Sequence, residues 1–306
     1  MVNIDDIKNF FRGHIALSES LSKYTSFRIG GPADYYLEPA DKDDVVKSIT
    51  YFQAQNIPFI IVGKGSNLLV SDEGIRGAVI NLESGLNSMR VEGERVFVDA
   101  GITMARFVDF CVQQGYKGVE MLAGIPGTIG GAVIMNAGAY GGEISDYLYD
   151  IEVLRAGKII YIRKDEAGFA YRRSAFKGDI VLGVSFKLPL GDKAEVMNIR
   201  RELLIKRNRA QPVNFPNSGS MFKNPPGTYA AKLIEESGLK GTRRGSAQIS
   251  EKHGNFIVNL GGATAKDVLE LIELARKAVS TKTGITLELE VKLLGFPDSV
   301  MKEVYA

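Results

Sequence analysis

At 306 residues the chain is long enough for two or three compact units with a substantial core. Its formal net charge of +2 gives no footing for nucleic acid or a membrane surface as the main partner. Cys111 is the only cysteine and His14 and His253 the only histidines, which excludes an internal disulfide and a cysteine or histidine metal cluster and leaves a Ser-His-Asp triad poorly supplied.

Taken in chain order, Ile4–Phe11 reads as a short helix, with Asp5 and Asp6 where a signal peptide would carry positive charge. No apolar run approaches membrane-spanning length, so a cytoplasmic protein without membrane insertion is expected. Tyr24–Leu37 reads as strand, Gly-Gly-Pro turn and strand. Lys42–Gln55 has helical spacing behind Asp41, a candidate N-cap, and Phe59–Val62 is a short apolar strand. These make a βαβ-like unit over residues 1–76. The polar loop Gly63-Lys64-Gly65-Ser66-Asn67 follows the strand at once, where open α/β sheets place ligands. Over residues 77–190, short strands (Ala78–Leu82, Val96–Ala100, Ile151–Arg155, Lys158–Arg163, Ile180–Phe186) and the helix Met104–Gln114 surround a glycine-rich centre. That pattern predicts an α+β unit with antiparallel pairing, and a buried structural thiol at Cys111. A third α+β unit covers 191–306. In it Lys193–Asn208 is a charged helix, Ala230–Gly238 a second, and Ala247–Ser250 and Asn255–Asn259 strand pieces. Thr264-Ala265-Lys266-Asp267 resembles a capping box for a helix over Ala265–Thr283, closed by Gly284. Ile285–Leu293 alternates cleanly as a strand, placing Leu287, Leu289, Val291 and Leu293 on one face and Glu288, Glu290 and Lys292 on the other.

Four places carry chemistry. The run Ala123–Gly142 holds glycine too densely for a helix or strand interior and contains no lysine or arginine, so any phosphate there would be held by backbone N–H groups. It is neither a P-loop nor G-x-G-x-x-G, and a plain tight turn is the alternative. Ser220, with Lys223 and Asn224 close behind, presents a hydroxyl beside a cation and an amide. No histidine neighbours it in sequence, so it suits proton donation better than acyl transfer, unless it is simply a turn residue. Glu290 is a carboxylate or a solvated surface group, and Arg172 a bidentate clamp for an anion or part of a basic surface cluster.

Together these stretches resemble one family closely. Arg28-Ile29-Gly30-Gly31-Pro32-Ala33, Gly63–Leu69, Gly124–Gly131, Tyr171-Arg172-Arg173-Ser174, Gly219–Pro225 and Glu288-Leu289-Glu290-Val291 occur in the order seen in the UDP-N-acetylenolpyruvoylglucosamine reductases, over roughly Ser20 to Gly295. The resemblance implies a FAD-binding domain of the vanillyl-alcohol-oxidase type in two subdomains, then a C-terminal substrate domain. It implies non-covalent FAD bound by Arg28, by Gly63, Lys64, Gly65, Ser66 and Asn67, and by Gly124, Ile125, Pro126, Gly127, Thr128, Gly130 and Gly131. NADPH would be the hydride donor, the enolpyruvyl ether of a UDP-sugar the acceptor, and peptidoglycan precursor synthesis the pathway. Arg172 and Glu290 would stabilise negative charge on the substrate carboxylate, and Ser220 would protonate the adjacent carbon. For Glu290 that requires a protonated form, which burial favours. Lys223, Asn224, His253 and Asn255 are implied substrate contacts. The interval from Lys177 to Ser220 is too short for the extra tyrosine loop of one branch, so the chain resembles the branch without it, leaving Arg207, Arg209, Arg243 and Arg244 as basic groups for the diphosphate. Two alternatives stand beside this reading: another FAD oxidoreductase of the same fold, and a nucleotide-sugar binding protein without catalysis. Oligomeric state is left open.

Overall fold

The computed structural model describes residues 4–176 and 178–305, so Lys177 lies outside the described residues. The elements follow in order: α1 (Ile4–Lys8), β1 (His14–Ser20), β2 (Pro32–Glu38), α2 (Lys42–Ala54), β3 (Phe59–Val62), β4 (Leu68–Val70), β5 (Ile75–Asn81), β6 (Met89–Glu92) and β7 (Arg95–Asp99). Next come α3 (Met104–Gln113), α4 (Ile129–Ile134), β8 (Gly138–Ala139), β9 (Gly142–Glu143), β10 (Leu148–Arg155), β11 (Lys158–Arg163), β12 (Ile180–Phe186) and α5 (Lys193–Ala210). The chain ends with α6 (Ala230–Glu236), β13 (Arg243–Arg244), β14 (Ala247–Ile249), β15 (Ile257–Asn259), α7 (Ala265–Thr283), β16 (Lys292–Leu294) and α8 (Asp298–Tyr305). Two compact units form, interleaved along the sequence: Met1–Leu17, Tyr35–Lys64 and Gly77–Lys206 make the first, and Ser18–Asp34, Gly65–Arg76 and Arg207–Ala306 the second.

The first unit carries most of a four-stranded sheet ordered β1-β2-β5-β3, in which β3 and β5 run parallel, and a five-stranded sheet ordered β11-β10-β12-β7-β6 whose pairings are all antiparallel. Helix α2 starts where Asp41 accepts the Asp44 N–H, and it buries Val45, Ile49 and Phe52. Helix α3 is capped by Thr103 and buries Met104, Phe107, Val108, Cys111 and Val112 at the expected 3–4 residue spacing. Burial pushes the Cys111 thiol pKa up, which fits the structural thiol expected. Phe107 stacks on Phe186 of β12 at 4.5 Å between ring centroids.

In the second unit, α7 lays Val268, Leu271, Ile272, Ala275 and Val279 into its own core with Leu287, Leu289 and Val291. Its capping box forms as the sequence predicts: Thr264 accepts the Asp267 N–H and Asp267 accepts the Thr264 N–H, while Gly284 closes the helix at φ 73°. Removing that cap in Thr264→Ala should cost about 1 kcal/mol of stability in urea unfolding, and an unchanged midpoint would show the box to be idle.

Three expectations are corrected. Residues 24–29 form no strand, because the Thr25 hydroxyl donates to the Ile29 carbonyl at 2.9 Å and accepts its N–H at 3.2 Å, which folds the chain into a turn with Arg28 at φ 55°. The glycine-rich run does hold a short helix, α4, started by Thr128, which accepts the Gly131 N–H at 3.5 Å. Ile285–Leu293 keeps its alternation of burial, but only Lys292–Leu294 joins a regular ladder, parallel to β4. Strand β1 and helix α8 add elements that the sequence pattern did not disclose.

Candidate functional site

In the loop after β3, Gly63 to Asn67, none of the five successive backbone N–H groups has a hydrogen-bond partner among the described residues. Such a run has the composition and the open N–H groups that an anion cradle needs. Gly63 is pressed against the glycine-rich run: a Cβ there would stand 2.2 Å from Thr128 Oγ1. The two segments implied for the FAD pyrophosphate therefore meet at this point within the first unit. Not all of the run's N–H groups are open. Ile129 donates to the Ile102 carbonyl and Gly130 to the Ala100 carbonyl, both at 2.8 Å, and Ile125 donates to Leu122 at 3.1 Å. Those of Gly124, Gly127 and Thr128 have no partner among the described residues. Gly130 is needed for close packing, since a Cβ would lie 3.0 Å from that of Ala100. Gly63→Ala must push Thr128 aside, at about 1–3 kcal/mol, and should weaken FAD retention about 10-fold. Flavin absorbance per protein after gel filtration checks this; full retention would place the cradle elsewhere.

Arg172 lies in the same unit, at the tip of a tight turn in which Ala170 and Arg173 exchange backbone hydrogen bonds of 2.9 and 3.0 Å. Its φ is 55°, a left-handed backbone that non-glycine residues rarely adopt, and its Nη2 donates to the Gly138 carbonyl at 3.2 Å. Asn136, 1% exposed, ties this turn to the glycine-rich run by donating to Glu143 Oε2 at 2.7 Å and the Ala170 carbonyl at 3.3 Å. Its Oδ1 is buried with no partner among the described residues, the kind of orphaned acceptor that a bound group would satisfy. The sequence reading passed over Asn136; its one signal was an asparagine inside a glycine run.

The second unit gathers Ser220, Lys223, Asn224, His253, Asn255 and Glu290, together with Arg28, Gly65, Ser66 and Asn67. Residues 220–223 run between two neighbours without a continuous ladder. On one side Ser220 bridges Phe256 and the Met221 N–H donates to Asn255 at 2.9 Å; on the other Phe222 bridges Leu289 and the Lys223 N–H donates to Glu288 at 2.8 Å. The N–H groups of Glu290 and Val291 both reach the Met221 carbonyl, at 2.9 and 3.4 Å. Two residues against one is a β-bulge, a device that re-aims side chains beside active sites. Glu290 is accordingly half-buried, whereas Glu288 and Lys292 are exposed.

Several implied substrate contacts have other work as well. Lys223 pairs with the Glu288 carboxylate, and Asn224 accepts the Ala230 N–H at the start of α6 at 3.1 Å. Burial pushes the His253 pKa down, and its Nδ1 accepts the Asn255 N–H at 3.3 Å, as a neutral ring can. The hydroxyl of Ser218, two residues before Ser220, is buried with no partner among the described residues. Arg243 and Arg244 lie exposed on β13, with Arg244 3.7 Å from Glu270.

Comparison with known proteins bears on all of this. Residues 33–161 match the FAD binding domain family, and residues 211–294 match the family described as UDP-N-acetylenolpyruvoylglucosamine reductase, C-terminal domain. The reductase of Chloroherpeton thalassium is 45% identical, the alignment covering 99% of this chain and all of that one. That of Caldanaerobacter subterraneus is 43% identical over 95% of this chain and 98% of its own. The crystal structure of the Thermus caldophilus reductase superposes with a TM-score of 0.81 at 39% identity, covering 93% of this chain and 100% of that one.

Proposed function

Because the chain belongs to the UDP-N-acetylenolpyruvoylglucosamine reductase family, we propose that Ser220, Arg172 and Glu290 carry the proton and the charge of a reaction to which the glycine loops supply bound FAD. The protein is an FAD-containing, NADPH-dependent oxidoreductase with the α+β fold expected: a FAD-binding domain of the vanillyl-alcohol-oxidase type and the C-terminal domain of this family. It reduces the enolpyruvyl group of UDP-N-acetylglucosamine enolpyruvate to UDP-N-acetylmuramate in peptidoglycan precursor synthesis. FAD, when bound, supplies hydride transfer from NADPH to the terminal methylene carbon of that enol ether.

This chain's residues do the rest. The N–H groups of Gly63, Lys64, Gly65, Ser66 and Asn67, with those of Gly124, Gly127 and Thr128, hold the FAD pyrophosphate; Ile125, Pro126, Gly130 and Gly131 shape that cradle, and Arg28 adds a cation. Arg172 binds the substrate carboxylate and Glu290 donates a hydrogen bond to it, so that the charge arriving with the hydride is stabilised where it develops. Ser220 delivers the proton to the adjacent carbon, completing addition of hydride and proton across the double bond. Lys223, Asn224 and His253 face the rest of the substrate. Residues 1–76 and 77–190 serve FAD and 191–306 the substrate. No described helix is long and apolar enough to cross a membrane, and we assign the enzyme to the cytoplasm, with a UDP-sugar and no nucleic acid as its partner.

The bulge at Glu290 and Val291 opposite Met221 carries this reading, because it joins the backbones that bear Ser220 and Glu290. An anaerobic visible spectrum tests it. Flavin bands that bleach with NADPH and return on adding the enolpyruvyl substrate are expected. Bands that return only with oxygen would point to an oxidase of the same fold, and a colourless protein that cannot take up FAD would point to a binding protein.

A further inference from the structure

Two asparagines outside the reacting trio take over hydrogen bonds that a regular sheet would supply. Asn255, 3% exposed, accepts the Phe222 N–H on its Oδ1 at 2.9 Å and donates from Nδ2 to the Phe222 carbonyl at 2.7 Å, so one side-chain amide occupies both polar groups of that residue. Its own carbonyl receives the Met221 N–H at 2.9 Å. Across the bulge, Asn67 Nδ2 donates to the Glu290 carbonyl at 3.1 Å, and the Asn67 carbonyl receives the Lys292 N–H at 3.0 Å. Asn67 thus meets the Glu290 segment on both sides of Val291. Between these two amides lie Ser220–Phe222 and Leu289–Val291, joined to each other by the bulge at Met221.

Register is the quantity at stake. A strand that slips by one residue turns every side chain to the opposite face, and short, irregular pairings specify register weakly. Here no continuous ladder holds residues 220–223 or 288–291; single bridges and two side-chain amides do so instead. We infer that Asn255 and Asn67 are positioning residues, a pair of amide clamps that set the register of the Ser220 and Glu290 backbones, Asn67 doing so from within the loop assigned to FAD. The inference rests on the proposed roles of Ser220 and Glu290 and adds that FAD binding and proton delivery share one residue. Neither asparagine needs to touch the reacting atoms. For Asn255 this differs from the substrate contact that the resemblance implied, since its amide is spent on Phe222.

Asn255→Asp and Asn67→Asp are near-isosteric: each keeps an acceptor and loses the Nδ2 donor to a carbonyl. Anaerobic stopped-flow on the FAD-loaded full chain separates the two half-reactions. In the Asn255 variants flavin content and the rate of reduction by NADPH should stay within about 3-fold of the parent, while reoxidation by UDP-N-acetylglucosamine enolpyruvate falls about 10- to 100-fold, in kcat far more than in KM; the Asn67 variants, whose residue also belongs to the FAD loop, are read per bound flavin, where reoxidation should fall in the same way. Asn255→Ser and Asn67→Ser, shorter and uncharged, guard against a result owed to the added carboxylate and should fall in the same half-reaction. The inference is overturned if in the Asn255 variants both half-reactions fall together, flavin is lost, or thermal stability drops while both rates persist, or if the Asn67 variants reoxidise at the parent rate per bound flavin. Ser220→Ala in parallel keeps the two levels apart. If it reoxidises normally the proposed chemistry is wrong, and if it is impaired while the asparagine variants are not, only the clamps are.

Discussion

Ser220→Ala should purify with normal flavin, bleach with NADPH at the parent rate, and lose substrate-dependent reoxidation by on the order of 10²-fold or more. The separation is expected because Ser220 sits on the bridge to Phe256 in the second unit and, in the proposed mechanism, acts only on the carbon acceptor. Removing one hydroxyl from a half-buried position leaves the Met221 and Phe222 bonds to Asn255 intact, so folding should be spared. In deuterated solvent the parent should show a slowed second half-reaction, and the variant should show less of it. Unimpaired turnover in the variant would remove Ser220 from the mechanism.

Glu290→Gln should spare flavin reduction and slow reoxidation by about 10- to 10³-fold. Glutamine keeps the volume and one donor, while changing the strength of the bond offered to the substrate carboxylate. The backbone bonds from Glu290 to Met221 and Asn67 are unaffected by the change, so a defect would belong to the carboxyl group itself. A slowed first half-reaction instead would move Glu290 to the nicotinamide step.

What the sequence disclosed depended on how local each interaction was. Helix α7 was legible in full because its start and stop are written in neighbouring residues, Thr264 with Asp267 and then Gly284. The antiparallel strands β11 and β12 were legible because their apolar patterning is continuous and their boundaries are marked by turns. The turn at residues 24–29 was not, since an apolar pattern looks the same whether or not Thr25 bonds back to Ile29. Helix α4 was hidden by its glycines, of which Gly130 packs against Ala100. Ser220, Arg172 and Glu290 stood out through motif order. The tasks of Asn67 and Asn255 did not, because the partners lie 223 and 33 residues away in sequence and nothing local announces them.

The same distances govern how the chain is made. Asp72 accepts the N–H groups of Ala265 and Lys266 at the start of α7, at 2.9 and 3.2 Å, the first of these spanning 193 residues. Strand β4 likewise pairs in parallel with β16, far downstream in the sequence. On a ribosome adding 5–20 residues per second, that 193-residue interval corresponds to about 10–40 s during which Asp72 has emerged and the start of α7 has not. The second unit therefore cannot complete before residues 292–294 are made, and until then the nascent chain carries an open strand edge and an uncapped cluster of Phe27, Ile29 and Leu69. Truncations that end before residue 292 are therefore expected to yield little folded protein, which the soluble yield of such a series checks.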